Sequence, residues 1–92
     1  MAVYVDAAVN PFGRMVMCHM LADSLDELHS MADKLGLKRK WFQHTGKKKT
    51  PHYDLCKAVR AKAVALGAVE IDRRKAAELM EWWRVKQMLD EY

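Results

Sequence analysis

Arg14 to Gly36 reads RMVMCHMLADSLDELHSMADKLG, an apolar run that passes without a linker into a helical pattern. In its first part Val16, Cys18 and Met20 point to one side of a strand, and Met15, Met17, His19 and Leu21 to the other. Apolar residues on both sides indicate an internal strand covered on two faces. Ser24 and Glu27 then form a capping box, Leu25, Leu28, Ala32 and Leu35 recur at helical spacing, and Gly36 closes the last turn. A strand running directly into a helix is half of an α/β unit, and the rest of the chain is read outward from it.

Upstream, Ala2-Val3-Tyr4-Val5 is short, β-branched and aromatic, ends at Asp6 and reads as a first strand, while Asn10-Pro11-Phe12-Gly13 reads as a turn. Downstream, Lys38 to Phe42 reads as a strand-like exit and His44 to Pro51 as a solvated loop. Asp54 is placed to cap a second helix carrying Leu55, Val59, Ala63 and Leu66, which Gly67 stops. Ala68 to Ile71 reads as another strand, and Asp72 caps a third helix with a wide apolar face. The order resembles βαβαβ, so the expectation is a small single α/β domain. It has a mostly parallel sheet of three to four short strands and three helices, the last an amphipathic C-terminal helix. Residues 1–75 form the core, and residues 76–92 pack on it or at an interface.

Ninety-two residues, 51% hydrophobic and 30% charged, suit one ordered domain. No apolar window approaches the ~18 residues of a membrane span, and no secretory leader is evident, so a cytoplasmic location is expected. Cys18 and Cys56 lack CxxC spacing and read as reduced thiols. No phosphate-binding GxxxxGK[ST], GxSxG elbow or dinucleotide GxGxxG occurs, which argues against those cofactor-dependent chemistries.

Of sixteen Lys and Arg, twelve fall between Lys38 and Lys75 against three acids there, a formal +9, while the flanks carry −3 and −2. Such segregation is the electrostatic footprint of a protein that meets an anion. Lys38, Arg39 and Lys40 adjoin Trp41, and Lys47, Lys48 and Lys49 lie in the loop; together they form the candidate nucleic-acid surface. Trp82 and Trp83 are about 100° apart on a helix, so both cannot face inward. With Met88 they form a candidate interface for a homodimer or another partner.

In an open α/β sheet, ligands gather beyond the strand ends. That rule collects Asp6, His19, Asp23, His52, Asp54 and Asp72, with His29 beside the core stripe of the first helix. Imidazole and carboxylate serve borderline divalent ions and general-base chemistry alike. His19, Asp23, His52 and Asp54 are the candidate ligands, although an aspartate directly before an amphipathic run, as Asp23 and Asp54 are, usually caps the helix, and His29 suits a half-buried core position.

Val3-Tyr4-Val5-Asp6, His19 with Ala22-Asp23-Ser24, Glu27-Leu28-His29, Leu35-Gly36, His52-Tyr53-Asp54 and Gly67-Ala68-Val69 together resemble a small bacterial and phage family. That family is known only as a domain of unknown function (domain of unknown function 4031). The resemblance spans about Val3 to Arg74, and the HisTyrAsp element after a GluLeuHis helix is its most specific part. It implies His19, Asp23, His29, His52 and Asp54 as a candidate site and a phage or prophage origin, which places the protein in the bacterial host cytoplasm, and it brings no activity with it. Asn10-Pro11-Phe12, where the family often has tryptophan, and the two-tryptophan tail depart from the pattern.

Three functions follow as expectations. The first is a binding module whose basic face meets nucleic acid or an acidic host protein, without a cofactor. The second is a nuclease-like phosphoester hydrolase using a divalent metal. The third is an inhibitor of a host enzyme acting by protein contact. Binding ranks above catalysis on sequence alone, because catalysis requires several separate assignments to hold together.

Overall fold

A computed structural model describes residues 2–7, 10–12, 15–44 and 50–90. Its centre is the two-faced apolar run, which forms strand β3 (Met15–Ala22) and pairs antiparallel with β1 (Val3–Val5), β2 (Asn10–Phe12) and β4 (Tyr53–Cys56). Among the described strands, only β5 (Val69–Glu70) runs parallel to its neighbour, β1. The sheet is therefore mixed and mostly antiparallel, and the mostly parallel expectation is corrected. Apolarity on both sides of β3 says that both faces are covered, which is equally true of a parallel strand and of an antiparallel strand with helices on each side.

Two neighbouring assignments change with it. Asn10–Phe12, expected as a turn, is a strand, with proline tolerated in this short piece of sheet. Residues 38–42 form a 3-10 turn at Arg39–Trp41 instead of a strand. The chain then doubles back through a Gln43–His52 bridge and enters β4 antiparallel to β3. Residues 45–49 of the expected loop lie outside the described residues, as does Gly13 of the expected turn.

Local signals act where expected. Helix α1 (Leu25–Lys34) is capped by the Ser24 hydroxyl, which accepts from the Glu27 N–H at 3.2 Å and donates to its carboxylate at 2.9 Å. Gly36 ends it at φ 75°, a left-handed conformation costly for any residue with a Cβ. Helix α2 (Lys57–Ala65) starts two residues later than the Asp54 cap would require, because Tyr53–Cys56 is drawn into the sheet. Asp72 does cap helix α3 (Arg73–Asp90), accepting from the Lys75 N–H at 2.8 Å.

Strand alternation sorts the side chains into two layers. Val3, Val5, Cys18, Met20, Ala22, Tyr53 and Leu55 face α1 and α2, packing with Leu28, Met31, Ala32 and Ala63. On the other face Leu21 packs with Ala76 and Leu79 of α3, flanked by Tyr4 and Ile71, and the Trp83 indole donates to the Ala22 carbonyl at 2.9 Å. The α3 layer covers only part of that second face.

Leu28 is buried in the first layer, whereas Leu25, one turn earlier, is exposed. Leu28→Ala should lower unfolding free energy by about 2–5 kcal/mol and Leu25→Ala by about 0.5 kcal/mol or less, measured by denaturant titration.

Candidate metal centre

His19 and Asp54 are directly opposed in the β3–β4 ladder, and both point to the α3 side of the sheet. His52, two residues before Asp54, shares that face, as does Asp6, which continues β1 opposite His19. Antiparallel pairing thus brings together groups that a parallel sheet would have separated.

The two histidines are each held by Nδ1. His19 Nδ1 lies 2.8 Å from Asp6 Oδ2, and His52 Nδ1 lies 2.8 Å from the Thr50 carbonyl oxygen. Both partners accept, so both rings carry a proton on Nδ1, and in the neutral rings the Nε2 lone pair is the one presented. The two Nε2 atoms aim at one carboxylate oxygen: His52 Nε2 is 3.6 Å and His19 Nε2 4.0 Å from Asp54 Oδ1. Gln43 Nε2 donates to Asp54 Oδ2 at 2.6 Å and fixes the carboxylate's rotation.

One donor atom from each of His19, His52 and Asp54 lies within 4.8 Å of the others. A tetrahedral ion with bonds of about 2.0–2.2 Å holds its ligands roughly 3.3–3.5 Å apart, so small side-chain rotations close the set. The three side chains are 25%, 19% and 35% exposed, which leaves the cluster open to a small molecule on one side. Two imidazoles and one carboxylate match the donors of catalytic zinc and non-haem iron sites, which retain open coordination positions.

Asp6 is the support beneath this cluster. Its side chain is 5% exposed, and its second oxygen, Oδ1, accepts the His19 backbone N–H at 2.8 Å. Arg60 Nε in turn donates to the Asp6 carbonyl at 3.0 Å and an Arg60 Nη bonds Glu70 at 2.8 Å. The hydrogen bond to Asp6 raises the His19 pKa above its ordinary 6.5 against the opposing effect of burial. A carboxylate–histidine pair of this kind fixes the tautomer and increases ligand basicity.

The remaining candidates lie elsewhere. Asp23 does not cap α1, whose cap is Ser24, and is not among the converging donors: it accepts from the Ala2 N–H at 2.7 Å and the Tyr4 hydroxyl at 3.1 Å, tying the start of β1 to the end of β3. His29 is on the α1 side of the sheet, with Nδ1 2.8 Å from the Tyr53 hydroxyl and its ring 4.6 Å from that of Phe42. Burial first, then Arg39, lowers its pKa. Tyr53 is an anchor, fully buried. Trp41 is exposed, with Lys38 Nζ 5.7 Å from its ring centre. Trp83 is buried, so of the three interface candidates only Trp82 and Met88 remain at the surface.

Lys47, Lys48 and Lys49 lie outside the described residues. The other cations of the middle third do not share one side: α2 carries Lys57, Arg60 and Lys62 on one face of the sheet, and α3 begins with Arg73, Arg74 and Lys75 on the other. Arg39 pairs with Asp33 at 3.7 Å, and Lys75 with Glu78 at 4.0 Å. Two open grooves of about 410 and 540 Å³ are lined by other residues, Cys18, Leu55 and Arg60 in one and Glu27, Lys34 and Gly67 in the other. The histidine cluster lies outside both.

A family model described as "Protein of unknown function (DUF4031)" matches residues 3–82. The chain belongs to that family. The match contains Asp6, His19, Gln43, His52 and Asp54, and it ends at Trp82, before the last turns of α3. No curated protein and no solved structure matches the chain. No helix among the described residues is long and apolar enough to cross a membrane.

Sequence reasoning placed Asp6 at the sheet end without making it part of the site, and it missed Gln43 and the Thr50 carbonyl. An antiparallel reading of Val3–Asp6 against His19–Ala22 would have set Asp6 beside His19.

His19 and His29 should titrate in opposite directions in the metal-free protein, His19 above 6.5 and His29 below it, as followed by imidazole proton resonances. By linkage, His19 adds stability that is whole below 6.5 and fades as pH rises through its folded value. His29 adds stability that is whole above 6.5 and fades as pH falls through its own. In Asp6→Asn the charged acceptor is gone, burial prevails, and the His19 resonance should move to a lower midpoint than in wild type.

Proposed function

We propose that the protein is a divalent-metal-dependent hydrolase of phosphoesters. His19 Nε2, His52 Nε2 and an oxygen of Asp54 are the ligands, and Asp6 is the residue that positions His19. The observation that carries this reading is the convergence of three donor atoms whose far sides are already anchored, two by acceptors at Nδ1 and one by the Gln43 amide. Preorganised donors do not have to be ordered when the ion binds, so the entropic cost of assembling the site is met on folding.

When bound, the ion would polarise the phosphoryl oxygen and bring the pKa of a bound water to about 7. The chain's own residues do the rest. Asp6 and the Thr50 carbonyl hold both imidazoles in the ligating tautomer, and Gln43 holds Asp54. In the reaction the water oxygen bonds to phosphorus, the ester P–O bond breaks, and the water proton ends on the departing alkoxide.

Titration with Zn(II), Mn(II) or Co(II) should show about one bound ion and a rise in melting temperature, with cobalt giving the visible spectrum of a low-coordinate nitrogen–oxygen site. His52→Ala and Asp54→Ala should abolish binding, and Asp6→Asn should weaken it about 10- to 100-fold. Release of nitrophenolate from bis(4-nitrophenyl) phosphate should require the ion and cease with a chelator. Binding that survives loss of both histidines refutes the ligand set; stoichiometric metal without hydrolysis of phosphate mono- or diesters refutes the reaction. A salt-sensitive oligonucleotide shift lost on replacing Lys38, Arg39 and Lys40 in a chelator-treated sample would instead favour the metal-independent nucleic-acid module.

A further inference from the structure

Helix α3 carries two seams, and among the described residues only one of them packs against the sheet. Ala76, Leu79 and Trp83 are buried against the sheet. Trp82, Val85 and Leu89 repeat the same i, i+3, i+7 spacing roughly 120° further round and are 45%, 42% and 66% exposed, with Met88 beside them at 44%. The family match ends at Trp82, so most of this second seam lies beyond the segment that defines the family. Three large apolar residues in a/d register along two turns are the pattern by which one helix packs on another.

The charges flanking the seam say which helix. With Trp82 and Leu89 at a positions and Val85 at d, Glu81 occupies a g position and Lys86 the following e position. In a parallel two-helix contact, g of one chain meets the next e of its partner, so Glu81 faces Lys86 twice by symmetry. An antiparallel contact would carry Lys86 toward its own copy. Glu81 presently bonds Arg84 and Lys86 bonds Asp90 within the helix, with the Glu81 side chain 59% and the Lys86 side chain 45% exposed. Exposed intrahelical pairs are weak, so exchanging them across an interface costs little.

We infer that the protein associates with a second copy of itself through a parallel pairing of the C-terminal half of α3, with Trp82, Val85 and Leu89 in the seam and Glu81 opposite the partner's Lys86. The inference does not depend on the metal centre, which lies on β3, β4 and the Gln43–His52 bridge.

Sedimentation equilibrium of the full chain, up to the highest concentration that NMR allows, should show a reversible monomer–dimer equilibrium. Leu89→Glu and, separately, Trp82→Glu should raise the dimer Kd at least about tenfold. Both side chains are exposed, so the circular dichroism spectrum of the monomer should be retained. Glu81→Lys should raise Kd about fivefold, and Glu81→Lys with Lys86→Glu should return it to near the wild-type value. A chain that stays monomeric throughout, or a dimer indifferent to both seam substitutions, overturns the inference. A dimer that the seam substitutions weaken but the charge exchange does not restore overturns the parallel register.

Discussion

A carboxylate buried as deeply as Asp6 must be met by donors or surrender its charge. It is met twice by one residue: one oxygen accepts the His19 backbone N–H and the other the His19 ring, both at 2.8 Å. The first bond closes the sheet where β1 ends, since Asp6 also donates its own N–H to the His19 carbonyl at 3.1 Å. The second decides which imidazole nitrogen is offered to the surface. A single side chain therefore finishes a strand pairing and sets a tautomer, so the site and the sheet are not separable.

The same economy extends outward along the sheet. Opposition of His19 and Asp54 across β3–β4 is a consequence of register, and a slip by one residue would send Asp54 to the α1/α2 side and Tyr53 to this one. Tyr53 prevents that slip. Its ring is fully buried beneath α1, its hydroxyl meets His29, and reversing it would bury a carboxylate in the first core layer. The HisTyrAsp element thus has an internal logic, in which the middle residue anchors the strand in the core so that its two neighbours are presented together on the opposite face.

Features encoded within one turn of chain are legible in the amino-acid sequence alone. The Ser24–Glu27 box, Gly36 and Gly67 at positive φ, the Asp72 cap and the division of Trp82 from Trp83 each depend on neighbours a few residues away. The sense of the strands is not legible there, because it depends on which long-range partner β3 accepts, and β3 is apolar on both sides. Asp54 illustrates the cost. An aspartate before Leu55, Val59, Ala63 and Leu66 looks like a helix cap, yet pairing with β3 extends the strand to Cys56 and sets that aspartate opposite His19. His19, His52 and Asp54 stand out as residue types, while their meeting requires the antiparallel register, and Asp6 becomes part of the site only with it.

Charge segregation in sequence and charge segregation in space are different properties in this chain. Cations on α2 and on the first turn of α3 lie on opposite faces, and their fields are screened over about 8–10 Å at ordinary ionic strength. Several are also partly neutralised, Arg39 by Asp33 and Arg60 by Glu70. Exposed pairs and isolated surface charges contribute only about 0–1 kcal/mol each, too little to orient a ligand from two sides at once. Three converging donors act differently, because an ion bound by them would concentrate positive charge at one point of the sheet. Dispersed lysines and arginines mark no single place on the surface, whereas His19, His52 and Asp54 bring three donor atoms within 4.8 Å of one another.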